Sequence, residues 1–256
     1  MKLNNIQSIA VGLLTFFFGN YVSADSLSDL QQTLTRLNGS HPVSGELDMF
    51  FTETRDKGKD KKIKVGKIKT ILSESSKGLD IHYSKQILAK VAQENHIKMI
   101  DENAETPTLN GAEILSASSL IPIISSAQTI LDYIDKGEFK GEHYIEYLGQ
   151  KTRILKFSLP LESFIDDKKF RSYVNKFSGS YQVLINEEGT PIETRMSYSG
   201  KGSAYIFFSM KAEGEIISQF NITGTRLVRI NRTQKSTSSS TFSDRIYNAT
   251  WKFNLF

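Results

Sequence analysis

Apolar and polar residues alternate most cleanly over residues 43–52. Val43, Leu47, Met49 and Phe51 share one parity, and Ser44, Glu46, Asp48 and Thr52 the other. This predicts a half-buried strand with one apolar face. Residues 61–72 predict its partner, reached across the charged turn Asp56-Lys57-Gly58-Lys59-Asp60. The apolar parity changes there, with Ile63 and Val65 before Gly66 and Ile68 and Leu72 after it. A glycine at a change of phase predicts a β-bulge. Leu79, Ile81 and Tyr83 predict a third strand.

Helical spacing appears on both sides of these strands. Leu27, Leu30, Leu34 and Leu37 recur every three or four residues, and Asn38-Gly39 ends the run. Residues 84–100 place Ile87, Leu88, Val91 and Ala92 on one face. From 111 to 135, Ile114, Leu115, Leu120, Ile121, Ile124, Ile130, Leu131 and Ile134 cover most of a helix circumference. A helix apolar nearly all round is buried on most sides. Asn110 and Glu113 predict its capped start, and Pro122 predicts a kink or split. The remainder predicts strands over 142–149, 152–159, 180–186, 192–199, 203–210, 214–223, 225–231 and 242–254. Turns are predicted at Asn186-Glu187-Glu188-Gly189, at Ser199-Gly200-Lys201-Gly202 and in the Ser/Thr run 236–241. Strands joined by short turns must be antiparallel. The expected fold is mainly β with helices. Its form is a curved antiparallel sheet or incompletely closed barrel of about eleven strands, wrapped around the central apolar helix.

The N-terminus reads differently. Lys2, the apolar stretch Ile9 to Phe18 and the small-residue pattern Val22-Ser23-Ala24 follow the order of a secretory signal peptide, cleaved near Ala24/Asp25. The expected organisation is a signal peptide over 1–24 and a single β-rich binding domain over 25–256, with a helical insert at 84–136. An exported, periplasmic protein follows from that leader. A membrane barrel is disfavoured, because the apolar positions near the end, Leu255, Phe253, Trp251, Ala249 and Tyr247, fall on the parity opposite to Phe256.

Composition removes several chemistries. With no Cys, the chain has no disulfides, thiolate metal sites or Cys nucleophile. The 16 Phe and 10 Tyr argue against disorder, and a net charge of +4 is too small to point to nucleic acid. His41, His82, His96 and His143 have no metal-ligand spacing. Nucleophile elbows and phosphate loops are missing from the sequence. The expectation is therefore a protein without catalysis, metal or cofactor. One charge feature stands out: Arg55 to Lys69 holds eight positive and two negative residues. Lys57, Lys59, Lys61, Lys62 and Lys64 are its candidate contacts with an anionic membrane surface or an envelope protein.

The Leu-spaced helix, the long first hairpin starting at Pro42-Val43-Ser44-Gly45, the apolar mid-chain helix and the segment Val183 to Ile192 come in a telling order. That order resembles the LolA/LolB-like superfamily of periplasmic carriers, which includes RseB-like sensors. The resemblance implies an incompletely closed antiparallel barrel around a helical lid, with a cavity for lipid chains. Arg55 is the nearest position by order to the arginine that controls lid opening in that family. The expected function is a periplasmic binding protein holding a lipid, or the acyl chain of a lipoprotein, between a concave sheet and a helix. Leu120, Ile121, Ile124, Ile130, Leu131 and Ile134, with Met49 and Phe51, are the candidate ligand-binding positions. The alternative is a periplasmic interaction module, a sensor or assembly factor, using its lysine hairpin or a sheet edge.

Overall fold

The structure is a computed structural model that describes residues 22–57, 60–204 and 208–256. The predicted leader falls almost wholly outside the described residues, as does Lys59; of Lys57 only the backbone is described. Helix α1 (Val22–Arg36) precedes a hairpin of β1 (Val43–Lys57) and β2 (Asp60–Ser75), followed by β3 (Gly78–His82). Four helices come next: α2 (Lys85–Ile100), α3 (Pro107–Glu113), α4 (Ala117–Ile124) and α5 (Ser126–Lys136). Then β4 (Glu138–Tyr147), β5 (Gln150–Ser158), the short α6 (Lys168–Arg171) and β6 (Val174–Ile185) lead into three long strands. These are β7 (Pro191–Ala204), β8 (Phe208–Thr223) and β9 (Arg226–Ser240), and β10 (Asp244–Leu255) completes the chain.

All ten strands form one antiparallel sheet in the order β3-β2-β1-β10-β9-β8-β7-β6-β5-β4, not closed on itself. Because β1 pairs with β10, the four helices lie in sequence between the two edge strands, β3 and β4. Tight turns set the register. Leu148 and Gly149 both take positive φ, 52° and 75°, so a two-residue turn joins β4 to β5. At the β6–β7 turn the Asn186 side chain accepts the Thr190 N–H at 2.8 Å, and Gly189 sits at φ 78°.

Three expectations are corrected. The apolar segment 111–135 is not one long helix but parts of α3, α4 and α5. Asn110 lies inside α3, while Ser116 and Ser119 form the capping box of α4, and α4 ends at Ile124, two residues beyond Pro122, capped by Ser125. The two resulting faces bury in different places. Leu120, Ile123 and Ile124 of α4 pack with Val43, Leu47, Leu72, Val228 and Phe253. Ala127, Ile130 and Ile134 of α5 pack with Leu30 and Leu34 of α1, with Leu37 just after it, and with Leu155, Val183 and Leu227 of the sheet.

The second correction is Gly66. Pairing of β1 with β2 runs unbroken from Val43↔Glu74 to Lys57↔Asp60, so no bulge occurs there. Gly66, Ile68, Thr70 and Leu72 form one buried row, and Ile63, 61% exposed, falls on the opposite parity with the exposed Lys67, Lys69 and Ile71. Gly66 instead lies under the Phe51 ring, where an added Cβ would come within 1.9 Å of a ring carbon. Gly66→Val is therefore expected to lower stability by about 1–3 kcal/mol through overpacking. Thermal unfolding should show this, with partial recovery when Phe51→Leu is added.

The third concerns two predicted turns. Gly200 to Gly202 lie within β7, and Ser236 to Ser240 within β9. Among the described residues ten strands thus replace about eleven.

Candidate functional site

The sheet and α5 enclose an open cleft of about 650 Å³. Its walls come from Tyr133 on α5, Phe164 in the segment before α6, Phe177 on β6, Met196 and Tyr198 on β7 and Ile216 on β8. Phe164 anchors one wall, with ring centroids 5.2 Å from both Phe177 and Tyr198. Gly179 lets this segment lie close on β6, since a Cβ there would meet the Leu159 carbonyl at 2.8 Å. The Leu159 N–H also donates to the Gly179 carbonyl at 2.9 Å. The far wall is polar: Gln234, Ser236 and Ser238 of β9 face the cleft. A wall of hydroxyls beside open space explains why the Ser/Thr run makes a strand without apolar alternation.

A smaller cavity of about 120 Å³ adjoins this cleft and shares Tyr133, Met196 and Ile216 with it. Its lining mixes hydroxyl-bearing and apolar side chains with two arginines, Arg229 and Arg232. A register shift brings both guanidinium groups to one side. Phe220 pairs with Arg229 but Gln219 pairs with Asn231, so β9 carries one extra residue, and Ser218 then faces Arg232. Phe220 and Ser218 line the same cavity as the arginines opposite them.

These arginines differ electrostatically from the others in the sheet. Arg245 donates to Glu53 at 2.9 Å and Arg55 also pairs with that carboxylate. Burial pushes the Glu53 carboxyl up, but the hydrogen bonds from Arg245 and Arg55 outweigh it and hold the group below its ordinary value. Arg195 pairs with Glu193 at 2.6 Å, and Arg226 pairs with Glu74. Among the described residues Arg229 and Arg232 have no ion pair, and the Nε of each has no hydrogen-bond partner. Arg232 does donate from Nη2 to Gln234 at 2.9 Å. Arg229 is only 7% exposed. Burial, and then the like charge of Arg232, pull its guanidinium down to about 9, so it stays charged at neutral pH. Burial likewise pushes the neighbouring Tyr181 phenol up.

The positions expected from sequence are dispersed. Leu120, Ile124, Ile134, Met49 and Phe51 are buried in packed clusters, and Leu131 is half-buried against one of them. Ile121 is 51% exposed. Ile130 packs in the α1–α5 cluster and also lines the arginine cavity. Phe51, with Glu53, Arg245 and Tyr247, borders a further cleft of about 410 Å³. On the hairpin, Lys61 and Lys62 are exposed, and Lys64 reaches Glu113 at 3.4 Å. The aromatic wall and the Arg229–Arg232 pair escaped sequence reasoning.

Among the described residues no helix is long and apolar enough to cross a membrane, and no three His, Asp or Glu side chains gather as for a metal ion. Compared with known proteins, the chain matches no family model, no curated protein sequence and no solved structure.

Proposed function

We propose that this is an exported, non-catalytic binding protein that holds an apolar ligand, a lipid or the acyl chain of a lipoprotein, between its sheet and α5. The observation that carries the reading is the cleft walled by Tyr133, Phe164, Phe177, Met196, Tyr198 and Ile216. About 650 Å³ lies within the usual range for small-ligand sites, and aromatic and thioether walls suit flexible alkyl chains. Burial of an acyl chain is worth about 0.8 kcal/mol per CH₂, which needs no polar machinery. A sheet that stays open, with helices between its two edge strands, supports a layout like that of the LolA/LolB-like carriers. In this reading the sheet wraps α5, and the exposed Lys61 and Lys62 orient the protein on an anionic surface.

Filling the cleft tests the reading without unfolding the protein. Gly200 and Ala212 pair across β7 and β8, and both line the cleft. Ala212→Trp is expected to weaken binding of a neutral fluorescent probe, N-phenyl-1-naphthylamine, by tenfold or more while leaving the melting temperature nearly unchanged. The control Ile63→Asp, on the exposed hairpin, should bind as the parent does. Equal binding by both variants, or no uptake by the parent protein, overturns the proposal.

A further inference from the structure

We propose that the ligand is an amphiphile with a compact anionic head, a long-chain carboxylate, whose head is taken by Arg229 and Arg232 in the small cavity while its chain lies in the apolar cleft. The inference rests on the binding reading above and adds the head-group chemistry. Three observations converge on it. Two guanidinium groups three residues apart would ordinarily face opposite sides of a strand, yet the bulge in β9 turns both into one cavity. Arg229 is more than nine-tenths buried, its Nε has no protein partner, and none of the ion pairs among the described residues uses it. The cavity borders the cleft, with Tyr133, Met196 and Ile216 lining both.

A buried cation with no carboxylate beside it is costly, and a bound anion offsets that cost. Arginine presents its donors in a planar fork that matches a carboxylate, and the Thr129 hydroxyl in the cavity wall can add a further hydrogen bond to the anion. Size selects the head. The cavity, at about 120 Å³, is far smaller than the 650 Å³ cleft beside it, which favours a compact head such as a carboxylate over a large one.

The experiment compares dodecanoate with dodecanol by calorimetric titration at neutral pH, in the parent protein and in two variants. Charge-assisted hydrogen bonds predict that the parent prefers the acid by about ten- to a hundredfold. Arg229→Met is expected to bring the acid down to the level of the alcohol and leave alcohol binding in place. Ser218→Asp sets a carboxylate opposite Arg232, and this built-in anion is expected to erase the same preference by a different route. Equal binding of acid and alcohol by the parent overturns the head-group inference and leaves the cleft reading standing. Binding of neither overturns both. Loss of acid and alcohol together in a folded Arg229→Met protein also overturns the inference, since Arg229 would then shape the cleft rather than hold the head. Acetate is expected to compete with dodecanoate only weakly. Competition at equal concentration would make this a plain anion site and sever it from the cleft.

Discussion

Arg229→Met is expected to raise the melting temperature of the ligand-free protein. Replacing a residue that is 7% exposed normally costs stability. Here the deleted group is a charge held away from water, without an ion pair among the described residues and beside the like charge of Arg232. Desolvation costs an ion several kcal/mol in a protein interior, and exchanging buried charge for an apolar side chain of similar length gains about 1–4 kcal/mol. For a domain of this size that corresponds to roughly 3–12 °C. Arg226 provides the contrast, because it is almost equally buried, at 6%, but pairs with Glu74. Arg226→Met leaves that carboxylate without its partner and should lose about 3–5 kcal/mol. Scanning calorimetry of the two variants should thus give shifts of opposite sign. Destabilisation of both would mean that Arg229 is held by the protein itself, and the case for an anion there would lapse.

The two arginines were not legible in the sequence for a geometric reason. Positions 229 and 232 differ in parity, so a regular strand would show one guanidinium to each face. Only the extra residue opposite Gln219 and Phe220 brings them together, and nothing in Arg229-Ile230-Asn231-Arg232 announces it. By contrast, the apolar faces of β1 and β10 were readable, although β1 runs on to Lys57 where a turn from Asp56 was expected. Their alternation is written against one face of the sheet, and Val43, Leu47, Met49, Phe51, Ala249 and Phe253 are all buried as the parity requires. The α1 stripe was readable for the same reason, since Leu30, Leu34 and Leu37 meet one surface. Where no core faces a segment the pattern carries no message. Ile63 on the solvent-facing side of β2 and Ser236 beside the cleft each produced a false feature, a bulge and a turn.

Segment 111–135 misled in the opposite way, and it yields the second large expected effect. Its all-round apolar surface is a composite of two half-faces, one on α4 toward β1, β2, β9 and β10, the other on α5 toward α1 and β5–β9. Periodicity sums them as if they shared an axis. Ile124, at 3% exposure, is seated among Leu47, Leu72, Val228 and Phe253, whereas Ile121, one turn earlier, is half in solvent at 51%. Ile124→Asp buries a carboxylate in a cluster without a cation and is expected to cost about 4 kcal/mol or more, a large share of the 5–15 kcal/mol that holds a typical domain together. Ile121→Asp should stay within about 0.5 kcal/mol. Urea unfolding of the two variants separates these outcomes, because the midpoint moves in one and not in the other. The same pair tests where an apolar chain enters. With α4 as packed core, Ile124→Asp loses probe binding only as it loses its fold, and Ala212→Trp is the variant that separates binding from stability. A stable Ile124→Asp protein that no longer takes up the probe would mean that α4 lifts from β1 to admit the chain. The ligand would then lie over Leu47 and Phe253, away from Tyr198 and the arginine pair.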